Sequence, residues 1–134
     1  MRLLLDTHIL IWALADDPKL PKEARKLILD ENNLLYASVV SVWEVIIKRA
    51  LHPNEMPYSG RDFFDACERA GFETLAVNAA HVLAVEGLRR GANAPPHKDP
   101  FDRLLIAQAK VEGMTLVTHD SLLSGYGAPC VLRV

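Results

Sequence analysis

No stretch of this 134-residue chain stays apolar for anything near the ~20 residues of a membrane span. The apolar start Leu3-Leu4-Leu5 is broken at once by Asp6, so neither a membrane helix nor a secretory signal is expected. Cysteine is scarce. Cys67 and Cys130 stand alone, with no CxxC and no Cys–His spacing, which argues against a zinc knuckle or disulfide framework and for reduced thiols in a cytoplasmic protein. There is no internal repeat, low-complexity tract or linker, so residues 1–134 are expected to form one domain. Basic residues are not in excess: 15 Lys and Arg face 17 Asp and Glu, a formal net charge of −2. That balance argues against a strong non-specific nucleic-acid binder. No basic-aromatic motif of the kind that reads nucleic-acid sequence is present either. With 50% hydrophobic residues the chain can build a full core, and its 24% charged residues argue against disorder.

What the sequence does hold is an alternation of short apolar runs and amphipathic segments. Strands are expected at residues 2–5, 34–37, 73–76 and 115–118, with 131–134 as a candidate edge strand. Helices are expected at 7–15, 21–30, 39 to about 49, 61–70, 78 to about 89 and 100–112, with a short turn near Ser121. Pro21 and Pro100 suit a first helical turn, and Gly71 and Gly113 suit the residue that ends a helix. Short, continuously apolar strands alternating with helices mean a parallel sheet covered on both faces, an α/β fold. The Pro-containing loops at 53–58 and 91–99 are the long connections, and either could border a cleft.

Four acids stand where a buried strand gives way to a helix or where a helix begins: Asp6, Glu44, Asp102 and Asp120. A parallel sheet gathers such junctions along its carboxyl edge, where open α/β sheets hold their ligands. Carboxylates in one crevice repel each other and resist desolvation, and a hard cation such as Mg²⁺ or Mn²⁺ between them relieves both. The pattern points to a metal-dependent phosphodiesterase. If four of the 17 acids hold a cation, the remaining acids no longer outnumber the bases, so the net charge does not exclude a nuclease.

Each acid also has a purely structural explanation. Asp6 and Asp120 could cap the turns that follow them. Ser41-Val42-Trp43-Glu44 fits a capping box. Asp99 suits an N-cap, with Asp102 a first-turn acid favoured by the helix dipole. Lys48 lies one turn beyond Glu44 and could pair with it. The joint pattern favours a metal, because Glu44 sits among apolar residues where a lone charge is expensive, and Asp6 and Asp120 leave the core at the same edge. Asp99 reads as the N-cap, or as a fifth acid acting through water. The hydroxyls of Thr7, Ser41 and Thr118 lie near these acids, free to bond a carboxylate or to serve a turn. His8, His97 and His119 could serve as zinc ligands or bases, but they share no metal spacing and read as surface or loop residues. Trp12 and Trp43 read as core or interface residues.

The segments DTHILIW, SVWEVIIK, HKDPFDRLLIAQA and LVTHD, in this order, resemble the PIN-domain ribonucleases, and within them the VapC-type toxins of bacterial toxin–antitoxin pairs. The resemblance runs from Leu3 to the Tyr126 region, with DPFDRLLIAQA its most specific part, and nothing essential in the pattern is missing. It implies a PIN-like three-layer α/β/α sandwich around a short parallel sheet. It places the metal-binding and catalytic carboxylates on Asp6, Glu44, Asp102 and Asp120. It implies Mg²⁺- or Mn²⁺-assisted hydrolysis of single-stranded or looped RNA, with no Ser, Cys or His nucleophile. Lys48, Lys98 and Arg103 flank the acids, as RNA contacts or as a solvated rim. The resemblance also implies a homodimer and a cognate antitoxin whose tail lies beside the acids, in a groove that Ile9, Ile11 and Trp12 could line.

Two other readings compete. A receiver-type phosphoacceptor module shares the size and the parallel sheet, but it has paired acids after its first strand, a mid-chain acceptor Asp and a late Lys. Here Asp6 stands alone, the second strand runs into Ser38, and no Lys ends a late strand. In a non-catalytic binding domain, all four acids would be caps.

Overall fold

The computed structural model describes residues 1–134. Five strands form one parallel sheet: β1 (Arg2–Leu5), β2 (Leu34–Ser38), β3 (Glu73–Leu75), β4 (Thr115–Thr118) and β5 (Val131–Arg133). Their order is β3-β2-β1-β4-β5. At the centre, Leu4 of β1 pairs with Tyr36 on one side and with Leu116 on the other. Six α-helices connect and cover the sheet: α1 (Thr7–Leu14), α2 (Lys22–Leu29), α3 (Val39–Leu51), α4 (Gly60–Arg69), α5 (Ala79–Ala84) and α6 (Pro100–Glu112). None is long and apolar enough to cross a membrane.

Strand pleating divides the core in two, because successive side chains point to opposite faces. Leu3 and Leu5 join Ile9 and Leu10 of α1, Ala24 of α2 and Phe63 of α4 in one buried cluster. Leu4 and Leu116 join Leu105, Ile106 and Ala109 of α6 in the other. This is the three-layer α/β/α sandwich that alternating apolar runs and helices predict.

The chain winds from β1 through β2 to β3 on one side, then returns to lay β4 and β5 on the other. The order therefore reverses between β1 and β4, the kind of point at which open α/β sheets hold ligands outside the carboxyl ends of their strands. Asp6 follows β1 directly and Asp120 lies two residues past the end of β4. The order also departs from the 2-1-3-4-5 arrangement of flavodoxin-like signalling domains, which removes the receiver reading.

Three local expectations are revised. The N-cap of α3 is Ser38, whose Oγ accepts from the Val40 N–H, so Ser41 and Glu44 lie inside the helix and form no capping box. The helix predicted over 78–89 stops at Ala84 and tightens into a 3-10 turn over Val85–Gly87. Gly87 disfavours helix, and the extended backbone at Leu88 lets that side chain enter the core. Pro21 stands just before α2 rather than in its first turn. By contrast α6 keeps the expected bounds: Asp99 caps it, Pro100 opens it, and Gly113 closes it in the left-handed conformation at φ 66°.

Candidate metal centre

Asp6 occupies the junction of β1 and α1 because it is the N-cap of α1. Its Oδ1 accepts from the Thr7 N–H at 2.8 Å. Its Oδ2 accepts from the Thr118 hydroxyl at the end of β4, at 2.7 Å. Those two bonds tie the carboxylate to the start of α1 and the end of β4. Burial raises the Asp6 carboxyl above its usual range; the hydrogen bonds from Thr118 and Thr7 oppose this, and the Glu44 charge adds to it.

Glu44 comes from the buried side of α3 and is only 2% exposed. The Thr7 Oγ lies 2.8 Å from Glu44 Oε1 and 2.8 Å from Ser41 Oγ. Having one hydroxyl proton, Thr7 donates it to the carboxylate and accepts from Ser41. The other carboxylate oxygen, Oε2, meets Lys48 Nζ at 2.6 Å. The i,i+4 pair weighed from the sequence is therefore present. Burial pulls the Lys48 ammonium down, but the bond to Glu44 and the charges of Glu44, Asp99 and Asp102 outweigh it and hold the group raised. Lys48 serves as the counter-charge of an acidic crevice.

Asp102 sits in the first turn of α6, one turn inside the Asp99 cap. Asp99 Oδ1 accepts from the N–H groups of Phe101 and Asp102, so its capping role is direct. Burial pushes the Asp102 carboxyl up to about 8, with the charges of Asp6, Asp99, Glu44 and Asp120 adding to the effect. All four sequence-derived acids thus share one electrostatic neighbourhood with Asp99. Asp120 stands at its rim and caps the turn over Ser121–Tyr126 through the Leu122 N–H. Three of the five acids are caps, whereas Glu44 and Asp102 cap nothing. Glu44 is instead held by Lys48 and Thr7, and Asp102 by His97. The donors are hard oxygens whose charges repel one another, and they fit a hard divalent cation.

One histidine expected on the surface or in a loop instead enters this crevice. His97 Nε2 lies 3.0 Å from Asp102 Oδ2, and its Nδ1 lies 2.6 Å from the Tyr126 hydroxyl. Donor atoms of His97, Asp102 and Asp120 all lie within 4.8 Å of one another. The segment His97-Lys98-Asp99 before α6 held the only hint, since a loop histidine two residues before a helix cap must end near the first turn. The other histidines stay outside. His8 and His119 are exposed and flank the Trp12 ring at 5.7 and 5.8 Å.

The flanking bases also separate. Lys48 is committed to Glu44, Arg103 reaches the Val85 carbonyl, and Lys98 is exposed beside the crevice. Of the residues expected to line a groove, Ile9 is fully buried core. Ile11 and Trp12 do line one, of about 660 Å³, with Met56, Pro57 and Tyr58 opposite. Trp43 is half exposed and packs edge-on against Phe101 with ring centres 4.8 Å apart.

Comparison with known proteins gives a consistent picture. Residues 3–128 match the model of the PIN domain family. No curated protein sequence matches the chain. Among solved structures, VapBC2 from Rickettsia felis, bound to a DNA fragment from its promoter, is similar, with TM-score 0.67 and 18% identity over 100% of this chain and 98% of that one. FitAcB from Neisseria gonorrhoeae is similar with TM-score 0.61 and 19% identity over 98% of this chain and 96% of that one. A toxin–antitoxin complex from Klebsiella pneumoniae gives TM-score 0.59 and 18% identity over the same shares. At such identities the likeness is one of fold.

Proposed function

The chain belongs to the PIN domain family, and from that premise we propose that it is a Mg²⁺- or Mn²⁺-dependent endoribonuclease, the toxin of a toxin–antitoxin pair. The observation that carries this reading is the grouping of Asp6, Glu44 and Asp120 around Asp102 near the switch point of the sheet, where the three add to the charge that the buried Asp102 carboxyl feels. These four residues are the metal-binding set. A bound ion supplies an activated water and a polarised phosphate. The chain's own part is to hold the donors still. Thr118 and the Thr7 N–H fix Asp6, the Thr7 hydroxyl fixes Glu44, and the α6 backbone fixes Asp102 beside His97. No Ser, Cys or His side chain need attack phosphorus.

The substrate is single-stranded or looped RNA, chosen by shape around the crevice rather than by a code of base contacts. Lys98 is the free cation at its rim, and Lys48 joins it once Glu44 turns to a metal. The antitoxin tail lies in the groove of Ile11, Trp12, Met56 and Tyr58, which a smaller recess lined by His8, Lys48 and Met56 continues toward Glu44. Of the structural neighbours, one is by its own description a toxin–antitoxin complex, and VapBC2 is bound to a DNA fragment from its promoter. A homodimer fits the exposed stripe Trp43, Ile46, Ile47 and Leu51, which repeats at helical spacing along α3. The protein works in the cytoplasm, where RNA and antitoxin meet it.

The test is RNA cleavage by the purified chain. Cleavage is expected with Mg²⁺ or Mn²⁺ and is expected to stop in EDTA. Full activity in EDTA would overturn the mechanism.

A further inference from the structure

His97 lies in the crevice, yet a family-type carboxylate site has no assigned place for it. Its geometry is constrained at both ring nitrogens. Nδ1 lies 2.6 Å from the Tyr126 hydroxyl, while that hydroxyl is 3.4 Å from the carbonyl oxygen of His97 itself. Tyr126 can donate its single proton to the carbonyl and accept the Nδ1–H. With that arrangement the ring carries its proton on Nδ1 and offers Nε2 toward Asp102, the tautomer that a metal-bound imidazole needs.

Nε2 and Asp102 Oδ2 are 3.0 Å apart. In the metal-free protein one proton shared by Nε2 and Oδ2 accounts for that distance, and a divalent ion that takes the proton's place can bind both atoms. An octahedral ion with bonds of 2.0–2.1 Å holds neighbouring donors about 3.0 Å apart, the edge of its octahedron. Asp120 brings a third donor within 4.8 Å of both. A hydroxyl or carbonyl on the far ring nitrogen is the usual support of a metal-bound imidazole, because it fixes tautomer and ring plane. Tyr126 is held in turn by the Arg90 guanidinium, 4.7 Å over its ring.

We propose that His97 is a nitrogen ligand of the divalent ion in this crevice, set by Tyr126 and standing beside Asp102 and Asp120. The inference rests on the metal-nuclease reading and refines it. Imidazole favours transition ions, whereas Mg²⁺ favours an all-oxygen shell. This site therefore discriminates in favour of Mn²⁺ over Mg²⁺ more strongly than its carboxylates alone would.

The experiment loads the full-length chain with Mn²⁺ alone, without RNA, and records pulsed electron paramagnetic resonance. The wild type is expected to show nitrogen coupling of a directly bound imidazole. His97→Asp, which supplies oxygen instead, should bind Mn²⁺ without that coupling, and calorimetry should show its preference for Mn²⁺ over Mg²⁺ reduced by about tenfold or more. His8→Gln and His119→Gln should keep the coupling. Bound Mn²⁺ without nitrogen coupling in the wild type overturns the role of His97 and leaves the metal-nuclease reading standing. Coupling that survives in folded His97→Asp, or is lost in His8→Gln or His119→Gln, also overturns it. A wild type that binds no Mn²⁺ overturns both. If His97→Asp fails to fold, His97→Gln is read in the same way and decides between His97 and another histidine.

Discussion

Asp99 and Asp102 lie three residues apart and have different work. Asp99 spends its Oδ1 on two backbone N–H groups, a task that asparagine does about as well. Asp99→Asn should therefore keep most activity, with a stability change of a few tenths of a kcal/mol, about what a cap-for-cap exchange costs. Asp102→Asn should lower cleavage more than about a hundredfold, as loss of a metal ligand does. Steady-state RNA cleavage with thermal denaturation of both variants checks this, and the reverse ranking would mean that Asp99 is the ligand. Asp102 also gives the metal-free protein a pH dependence. Its folded carboxyl titrates at about 8 against 3.8 for a free one. Between those values the folded state holds a proton that the unfolded state has lost. The favourable contribution is thus full below about pH 4 and gone above about pH 8. Metal-free wild type should lose thermal stability from pH 5 to 9, and Asp102→Asn should flatten that slope. Equal slopes in the two proteins would refute the assignment.

At the scale of elements, α3 matters most, because it carries Glu44 and its start sets where Glu44 points. That start is fixed by Ser38. Its Oγ caps the helix through Val40 N–H and donates to Oε1 of the fully buried Gln108 on α6. Ser38→Ala removes the cap, worth about 1 kcal/mol, and leaves a buried amide oxygen without a donor, a further cost of about 1–3 kcal/mol. Urea unfolding should show a total loss of about 2–4 kcal/mol on those two terms. A loss under about 0.5 kcal/mol would show that the contact is not held in solution. The α6 start is more self-sufficient: cap, proline and first-turn acid all lie within one turn.

For the molecule as a whole, the crevice is a fold-imposed concentration of negative charge with Lys48 as its internal counter-ion. Expression of the chain alone in bacteria should arrest growth, and Glu44→Gln should relieve the arrest. Gln keeps the size of Glu44 and its bond from Thr7, but it is a poor ligand for a hard ion. Growth curves at matched protein level read the outcome. Undiminished arrest by Glu44→Gln would show that Glu44 serves only Lys48. No arrest by the wild type would turn the reading from a toxin to an RNA-processing enzyme.

The sequence by itself determined the strands and helices, their order, and which acids stand at strand ends. Those features depend on periodicity and caps within a few residues. The bounds of α6 and β4 could be read directly, since Pro100, Gly113 and the apolar run Leu116-Val117 all act locally. The false capping box at Ser41 and the overlong helix after Asn78 failed for a related reason. Local patterns allow both, and packing chose Ser38 as the cap and drew Leu88 into the core. Only the tertiary structure decided the strand order, and with it the switch point. It also joined Thr118 to Asp6 across 112 residues, and His97 to Tyr126 across 29. Such pairings have no local sequence signature, because their partners are set by how helices pack on the sheet rather than by any repeat along the chain.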